Sequence, residues 1–258
     1  MTIGGASRSR PAARREMSSV CLIVPCFNEA ERLDFNAFGR PPAGVTCLLV
    51  DDGSADATGE LLQRHRSDVL RVVQLPRNVG KAEAIRQGIL HARTIGLLDD
   101  AEWVGYWDAD LATPLSEVCN FLAYESLEPV PADAIVGSRI YKLGSRIARS
   151  YLRHILGRWF ATFAGVLLQL ECYDSQCGAK LFRVEQVERA FGEPFISRWI
   201  FDVEILMRLR EQRLLEYPLR TWTDVRGGKL NLLNVAVPTV IDLFRIRRHY
   251  GIGRPTQG

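Results

Sequence analysis

Short apolar runs alternate with longer stretches of helical period along the first half of the chain. "VCLIVP" is a continuous β-branched run closed by proline, the pattern of a buried strand. "CLLVDDGS", "VLRVVQLP" and "AEWVGYWDAD" repeat that pattern, and each ends in polar or turn residues. Between them the apolar spacing lengthens. "ADATGELLQRHR" has helical spacing, with Asp56 placed to cap its start. "GKAEAIRQGILHARTIG" puts Ala84, Ile85, Ile89, Ala92 and Ile95 on one stripe. Strands alternating with helices predict an α/β fold, a Rossmann-like, mostly parallel sheet flanked by crossover helices.

After Pro114 the pattern changes. "AIVGSR" reads as a further strand, and "YDSQCGAKLFR" as a polar turn leading into another. "RIARSYLRHILGRWFATFAGVLLQL" mixes arginines with a long apolar stretch. "RWIFDVEILMRLRE" predicts a helix with Ile200, Val203, Leu206, Met207 and Leu209 inward, and "YPLRTWTDVRGGKLN" a strand and a glycine-rich loop. "LLNVAVPTVIDLFRIRRHYG" closes the chain as one or two amphipathic helices, bent at Pro238. No repeat or proline-rich linker interrupts the chain. One continuous domain is expected over 19–250, between a disordered basic tail at 1–18 and a short tail at 251–258.

Composition narrows the class. Of 258 residues, 47% are hydrophobic and 24% charged, as in soluble globular proteins. The net charge of +3 does not point to nucleic acid. Its placement is uneven: Arg8, Arg10, Arg14 and Arg15 crowd one end, and Arg245, Arg247, Arg248 and Arg254 the other. Basic ends suit an anionic surface or simply solvent. The six cysteines form no C-x-x-C pair, so a reduced, cytoplasmic chain without structural zinc is expected. No run reaches the roughly 20 apolar residues that span a bilayer. Two segments remain candidates for peripheral membrane contact, 155–170 and 230–250, which otherwise pack on the sheet.

Parallel sheets bind ligands beyond the carboxyl ends of their strands. Asn28, Glu29, Asp51, Asp52, Asn78, Asp108 and Asp110 all fall there. Asp108 and Asp110, one residue apart, suit a hard divalent cation completed by diphosphate and water, or form a solvated turn. Asp52 suits a base N–H or ribose hydroxyls, or an Asp-Gly turn. Gly80 and Lys81 precede a helix, a place that attracts phosphate, or an ordinary loop with an exposed lysine.

In their order, "VPCFNEAERL", "VDDGSADAT", "RNVGKAEAIRQGI" and "DADLATP" resemble the nucleotide-sugar motifs of the family-2 glycosyltransferases of the GT-A fold. "GSR", "DSQCGAKLFR", "RWIFDVEIL", "WTDVRGGKLN" and "DLFRIRRHY" are similar to the branch of dolichyl-phosphate β-glucosyltransferases and polyprenyl-phosphate mannose synthases. The resemblance implies a nucleotide-sugar-binding half, 19–113, and an acceptor half, 114–250, ending in amphipathic helices. It implies Mg²⁺ or Mn²⁺ on Asp108 and Asp110. Pro25, Asn28, Glu29, Asp52, Lys81 and Asp108 would bind the nucleotide sugar. Arg139 would face the phosphates or the sugar. Arg153, with Arg149 in reserve, and Lys180 and Lys229 would hold an acceptor phosphate. Asp202 would be the base or orient an arginine, with Asp174 a weaker candidate. Two departures stand out. Ala112 occupies a position where mannose synthases often carry a glutamine, and the membrane helix of eukaryotic relatives is missing from the N-terminus.

These implications describe an inverting hexosyltransferase. The donor is UDP-glucose first and GDP-mannose second. The acceptor is a polyprenyl or dolichyl phosphate, or alternatively the hydroxyl of a soluble metabolite. The enzyme would be cytoplasmic and peripheral on the membrane surface. The arginine-rich stretch from Arg139 to Arg158 favours phosphate, because guanidinium forks bind its oxygens in pairs. A nucleotide-dependent oxidoreductase would want G-x-G-x-x-G after the first strand, and "PCFNEAERL" lacks it.

Overall fold

In chain order the elements are β1 (Val20–Cys26), α1 (Phe35–Phe38), β2 (Val45–Asp51), α2 (Thr58–Arg64), β3 (Leu70–Gln74), α3 (Lys81–Thr94), β4 (Trp103–Trp107), α4 (Glu117–Glu125), β5 (Ala134–Ser138), β6 (Arg146–Ala148), α5 (Tyr151–Leu168), β7 (Ala179–Arg183), α6 (Val187–Phe191), α7 (Phe201–Arg208), β8 (Leu214–Pro218), β9 (Thr221–Thr223) and α8 (Leu232–His249). The structure is a computed structural model that describes residues 19–148, 151–224 and 232–251, with side chains except those of 151–156 and 232–237. The basic tail, Arg149, Lys229 and the glycine-rich loop therefore lie outside the described residues, as does the side chain of Arg153.

Seven strands form one sheet in the order β3-β2-β1-β4-β7-β5-β8. The pairs β3-β2, β2-β1 and β1-β4 are parallel, as the alternating pattern predicts, and so is β5-β8. β7 runs antiparallel to both of its neighbours, β4 and β5. Continuous apolar runs make the central strands because both sheet faces are covered. One face carries Phe38, Leu62, Val118 and Phe121 from α1, α2 and α4. The other carries Ala84, Ile85 and Ile89 of α3, Ala190 of α6, and Phe201 and Ile205 of α7. α3 lies close to the sheet at Gly88, where an added Cβ would come within 2.6 Å of Ile23 and Val50 methyls.

The five apolar residues expected inward along "RWIFDVEIL" and beyond are all buried. α7 is covered on two sides, because Val203 and Met207 also pack with Ala164, Leu167 and Leu168 of α5 and Leu243 and Ile246 of α8. Outward from that cluster Trp159, Phe163 and Val166 of α5, and Val240, Ile241 and Phe244 of α8, stay exposed. The stripe expected on the last helix is thus split, Leu243 inward and Val240 and Phe244 outward. Pro238 lies within α8. β6 and β9 form a separate parallel pair.

Candidate functional site

Parallel β3, β2, β1 and β4 bring their carboxyl ends to one edge. The loop after β1 is stapled to the turn after β2: the Asn28 amide donates to Ser54 Oγ (2.9 Å), and Asn28 Oδ1 accepts from the Ala55 amide (2.9 Å). Asn28 holds φ +53 to do this, a conformation that asparagine tolerates better than most residues. Asp56 Oδ1 accepts from the Thr58 amide (2.9 Å), but the cap position of α2 falls one residue later than expected, on Ala57, which makes no side-chain cap bond. Pro25 sits within β1 opposite Val50.

Asp52 is buried, and its carboxylate accepts from Val79 N (2.7 Å), Gly80 N (2.9 Å) and Asn78 Nδ2 (3.1 Å). Burial raises its pKa despite the two backbone bonds. Asp52 is therefore engaged with its own chain, and what it shapes is the entry to α3. Lys81, the first residue of that helix, reaches Asp108 Oδ1 at 2.5 Å. The Lys81 side chain stays exposed; partial loss of solvent around its ammonium opposes its charge, but Asp108, Asp202 and Asp110 outweigh that loss and raise its pKa. Arg198 was not singled out from the sequence; its Nη2 donates to the Val79 carbonyl at 3.5 Å, and its charge acts on Asp52. Its position just ahead of a helix in "SRWIFD" was the available signal.

Asp110 Oδ1 accepts from the Ala112 amide (3.0 Å), with Leu111 between them at φ +52. The loop is tied down by Trp107 Nε1 donating to the Thr113 carbonyl (2.7 Å) and Thr223 N donating to the Ala112 carbonyl (2.9 Å). Burial, then the charge of Asp108, raises the Asp110 pKa. Glu29, partnered by Arg32 at 2.5 Å, is also raised by burial, and its Oε2 is buried without a hydrogen-bond partner. Asp108 rests against bare backbone at Gly178, where a Cβ would lie 1.9 Å from Oδ2. Among the described residues no group of three His, Cys, Asp or Glu side chains is arranged to hold a metal. Two carboxylates at an open strand end fit a cation that takes its other ligands from a diphosphate and water.

Three expectations change. Lys180, expected on an acceptor phosphate, is fully buried, and its ammonium donates to Asp202 Oδ1 (2.5 Å) and the Cys177 carbonyl (2.6 Å). It does not reach the crevice. Asp202, expected as the base or to orient an arginine, takes the Lys180 ammonium and the Tyr106 hydroxyl on Oδ1, so that oxygen is engaged by a buried lysine instead of an arginine. Arg139, expected on the phosphates or the sugar, is paired in two-pronged fashion with Asp174 (2.6 and 2.7 Å). Burial opposes that pair, yet the hydrogen bonds and charge of Arg139 hold Asp174 below its usual range. Glu216 accepts from the Tyr173 and Asp174 amides (2.9 and 2.8 Å), fixing the turn that presents Asp174.

Residues 21–191 match the family model described as Glycosyl transferase family 2. A dolichyl-phosphate β-glucosyltransferase of Dictyostelium discoideum is 33% identical, with 90% of this chain and 75% of that protein covered. The dolichyl-phosphate β-glucosyltransferase of Homo sapiens is 33% identical over 81% of this chain and 68% of its own. Glucosyl-3-phosphoglycerate synthase from Mycobacterium tuberculosis, solved with Mn²⁺ and UDP-glucose, superposes with a TM-score of 0.65. It is 17% identical, and 94% of this chain and 82% of that one are covered.

Proposed function

The chain belongs to glycosyl transferase family 2, and from that premise we propose that it moves a hexose from a nucleoside-diphosphate sugar, UDP-glucose first, to a polyprenyl or dolichyl phosphate at a membrane surface. The observation that carries the donor half of the reading is the cluster at one sheet edge, where Lys81 at the start of α3 meets Asp108 and Asp110 at the end of β4. The acceptor half rests on the relatives, which are named for dolichyl phosphate. The Mg²⁺ or Mn²⁺ invoked here would lie on Asp108 and Asp110 and neutralise charge on the departing diphosphate.

The reaction is a displacement at the anomeric carbon. An oxygen of the acceptor phosphate forms the new bond as the bond to the diphosphate breaks, with inversion. Lys81 would exchange Asp108 for a diphosphate oxygen, and the partial positive charge at the α3 N-terminus favours the same anion. An anionic phosphate needs no base to deprotonate it, which agrees with the engagement of Asp202 Oδ1. Arg139 would face the acceptor side, oriented by Asp174. Arg149, Arg153 and Lys229 remain proposed phosphate contacts.

The test is a panel of UDP- and GDP-sugars with a short polyprenyl phosphate, read by mass spectrometry with and without EDTA. The expected product is a hexosyl phosphodiester formed from UDP-glucose and lost with EDTA. Hexosylation of soluble hydroxyl compounds, with none of the lipid phosphate, overturns the acceptor assignment and leaves the donor half standing.

A further inference from the structure

Lys180 is out of place by the ordinary rules of burial. It lies on β7 between Ala179 and Leu181, opposite Tyr106 on β4 and Val136 on β5, and it is fully buried. A charged amine in such a position must be paired and hydrogen-bonded. Asp202 Oδ1 lies 2.5 Å away, the Cys177 carbonyl 2.6 Å, and the Tyr106 ring centroid 5.3 Å. The Tyr106 hydroxyl donates to the same Asp202 oxygen, so one carboxylate on α7 gathers donors from β4 and β7. An apolar side chain at 180 with an apolar partner at 202 could fill this space as well, since buried ion pairs are weak sources of stability.

What an apolar pair could not provide is the bond to Cys177. That carbonyl belongs to the turn entering β7, and the next residue is Gly178. The Asp108 amide donates to the Gly178 carbonyl (3.1 Å), and a Cβ at 178 would fall 1.9 Å from Asp108 Oδ2. The Asp108 carboxylate leans on the stretch of backbone that Lys180 anchors. We infer that Lys180 is a positioning residue for the Asp108–Asp110 loop: held on Asp202, it fixes the Cys177 carbonyl and thereby the Gly178 backbone against which Asp108 is set to receive cation and diphosphate.

This rests on the donor reading above. The probe is Mn²⁺ with UDP, its free fraction followed by electron paramagnetic resonance, with thermal unfolding measured on the same samples. Lys180→Met leaves Asp202 without its counter-charge, held only by the Tyr106 hydroxyl. It is expected to lower the Tm and to weaken Mn²⁺ binding in the presence of UDP by about tenfold, the lower end of what losing an outer-shell partner does. Lys180→Met combined with Asp202→Asn removes both charges and keeps an oxygen for Tyr106. Its Tm is expected to return toward that of the wild type while Mn²⁺ affinity stays low, because the Cys177 anchor is still missing. A purely structural lysine behaves otherwise: the double variant regains Mn²⁺ affinity along with its Tm. That result overturns the inference, as does a folded Lys180→Met with native affinity or a double variant that does not fold. Wild-type protein that binds no Mn²⁺ with either UDP or GDP brings down the donor reading as well.

Discussion

Asp110 is held in a state that costs the fold something at neutral pH. Burial and the neighbouring Asp108 raise its pKa above the ordinary 3.8, against the pull of the Ala112 amide, Lys81 and Arg32. A raised pKa means that the folded form holds its proton more tightly than the unfolded chain. Its contribution to stability is full below pH 3.8 and is lost as pH rises through the folded value. Asp110→Asn is therefore expected to keep or slightly raise the Tm while transfer falls roughly 100-fold or more, equivalent to about 3 kcal/mol. Rate and Tm measured on one preparation check this; a large Tm loss, or activity that survives EDTA, rules it out. The same sign predicts that Mn²⁺ with UDP raises the Tm at neutral pH, and that the gain shrinks on acidification before pH 3.8 is reached. Thermal unfolding across a pH series tests it. Cysteine chemistry is selective for a related reason. Burial pushes Cys21, Cys47, Cys172 and Cys177 up to about 12 and Cys26 upward, whereas Cys119 is exposed. Mild native alkylation should label Cys119 first, as peptide mass spectrometry will read; earlier labelling at Cys177 would contradict the burial. The paired aspartates were legible in the sequence because they end an apolar run. Lys180 was not, since a lysine in "GAKLF" reads as a surface residue and nothing local marks Asp202 as its partner.

Among the elements, the close approach of α3 to the sheet sets a quantitative conflict. Gly88 sits inside the helix, where alanine would gain about 1 kcal/mol in propensity. Its Cβ would press on Ile23 and Val50 at 2.6 Å, and overpacking of a filled core costs about 1–3 kcal/mol. Packing is expected to win, so Gly88→Ala lowers the Tm; a stabilised variant would mean that the helix lifts freely from the sheet. The strands β1 to β4 and the helices α2 and α3 follow from local runs and stripes, whereas the four-residue α1 carries no such pattern. β6 does not follow from one either, being three residues long and paired only across the fold, with β9. Nor does the reversal of β7, because an apolar run carries no mark of direction. Loss of interior periodicity hid the two-sided burial of α7, where the sheet takes Phe201 and Ile205 and the α5-α8 side takes Val203 and Met207.

For the whole molecule the open question is what the outer faces of α5 and α8 meet. Among the described residues no helix is long and apolar enough to cross a membrane. Trp159, Phe163 and Val166 on one helix and Val240, Ile241 and Phe244 on the other are nonetheless exposed, and α8 ends in Arg245, Arg247, Arg248 and His249. Apolar side chains beside a basic cluster suit an anionic bilayer surface, with each arginine near the head groups contributing about 1 kcal/mol at low salt. Flotation with anionic liposomes should carry the protein at low salt and release it at high salt. Trp159→Glu with Phe244→Glu should abolish flotation at little cost in Tm, because exposed positions tolerate change. Protein that stays with the soluble fraction at low salt makes the soluble acceptor the better assignment.

The reversed strand β7 also has a consequence in time. β4 is finished at Trp107, yet the strand that covers its outer edge begins only at Ala179, and β5 reaches β4 only through that same strand. A growing chain emerging from the ribosome therefore carries a sheet with a naked edge, bearing Trp103, Tyr106 and Trp107, until residue 183 has appeared. Unpaired apolar edges seed association between chains, and contacts this distant in sequence close slowly. The stretch up to Pro114 is thus not a self-sufficient module despite holding most of the recognisable motifs. A fragment ending at Pro114 is expected to aggregate at expression, whereas one continuing through α6 closes that edge; sedimentation of the two lysates distinguishes them.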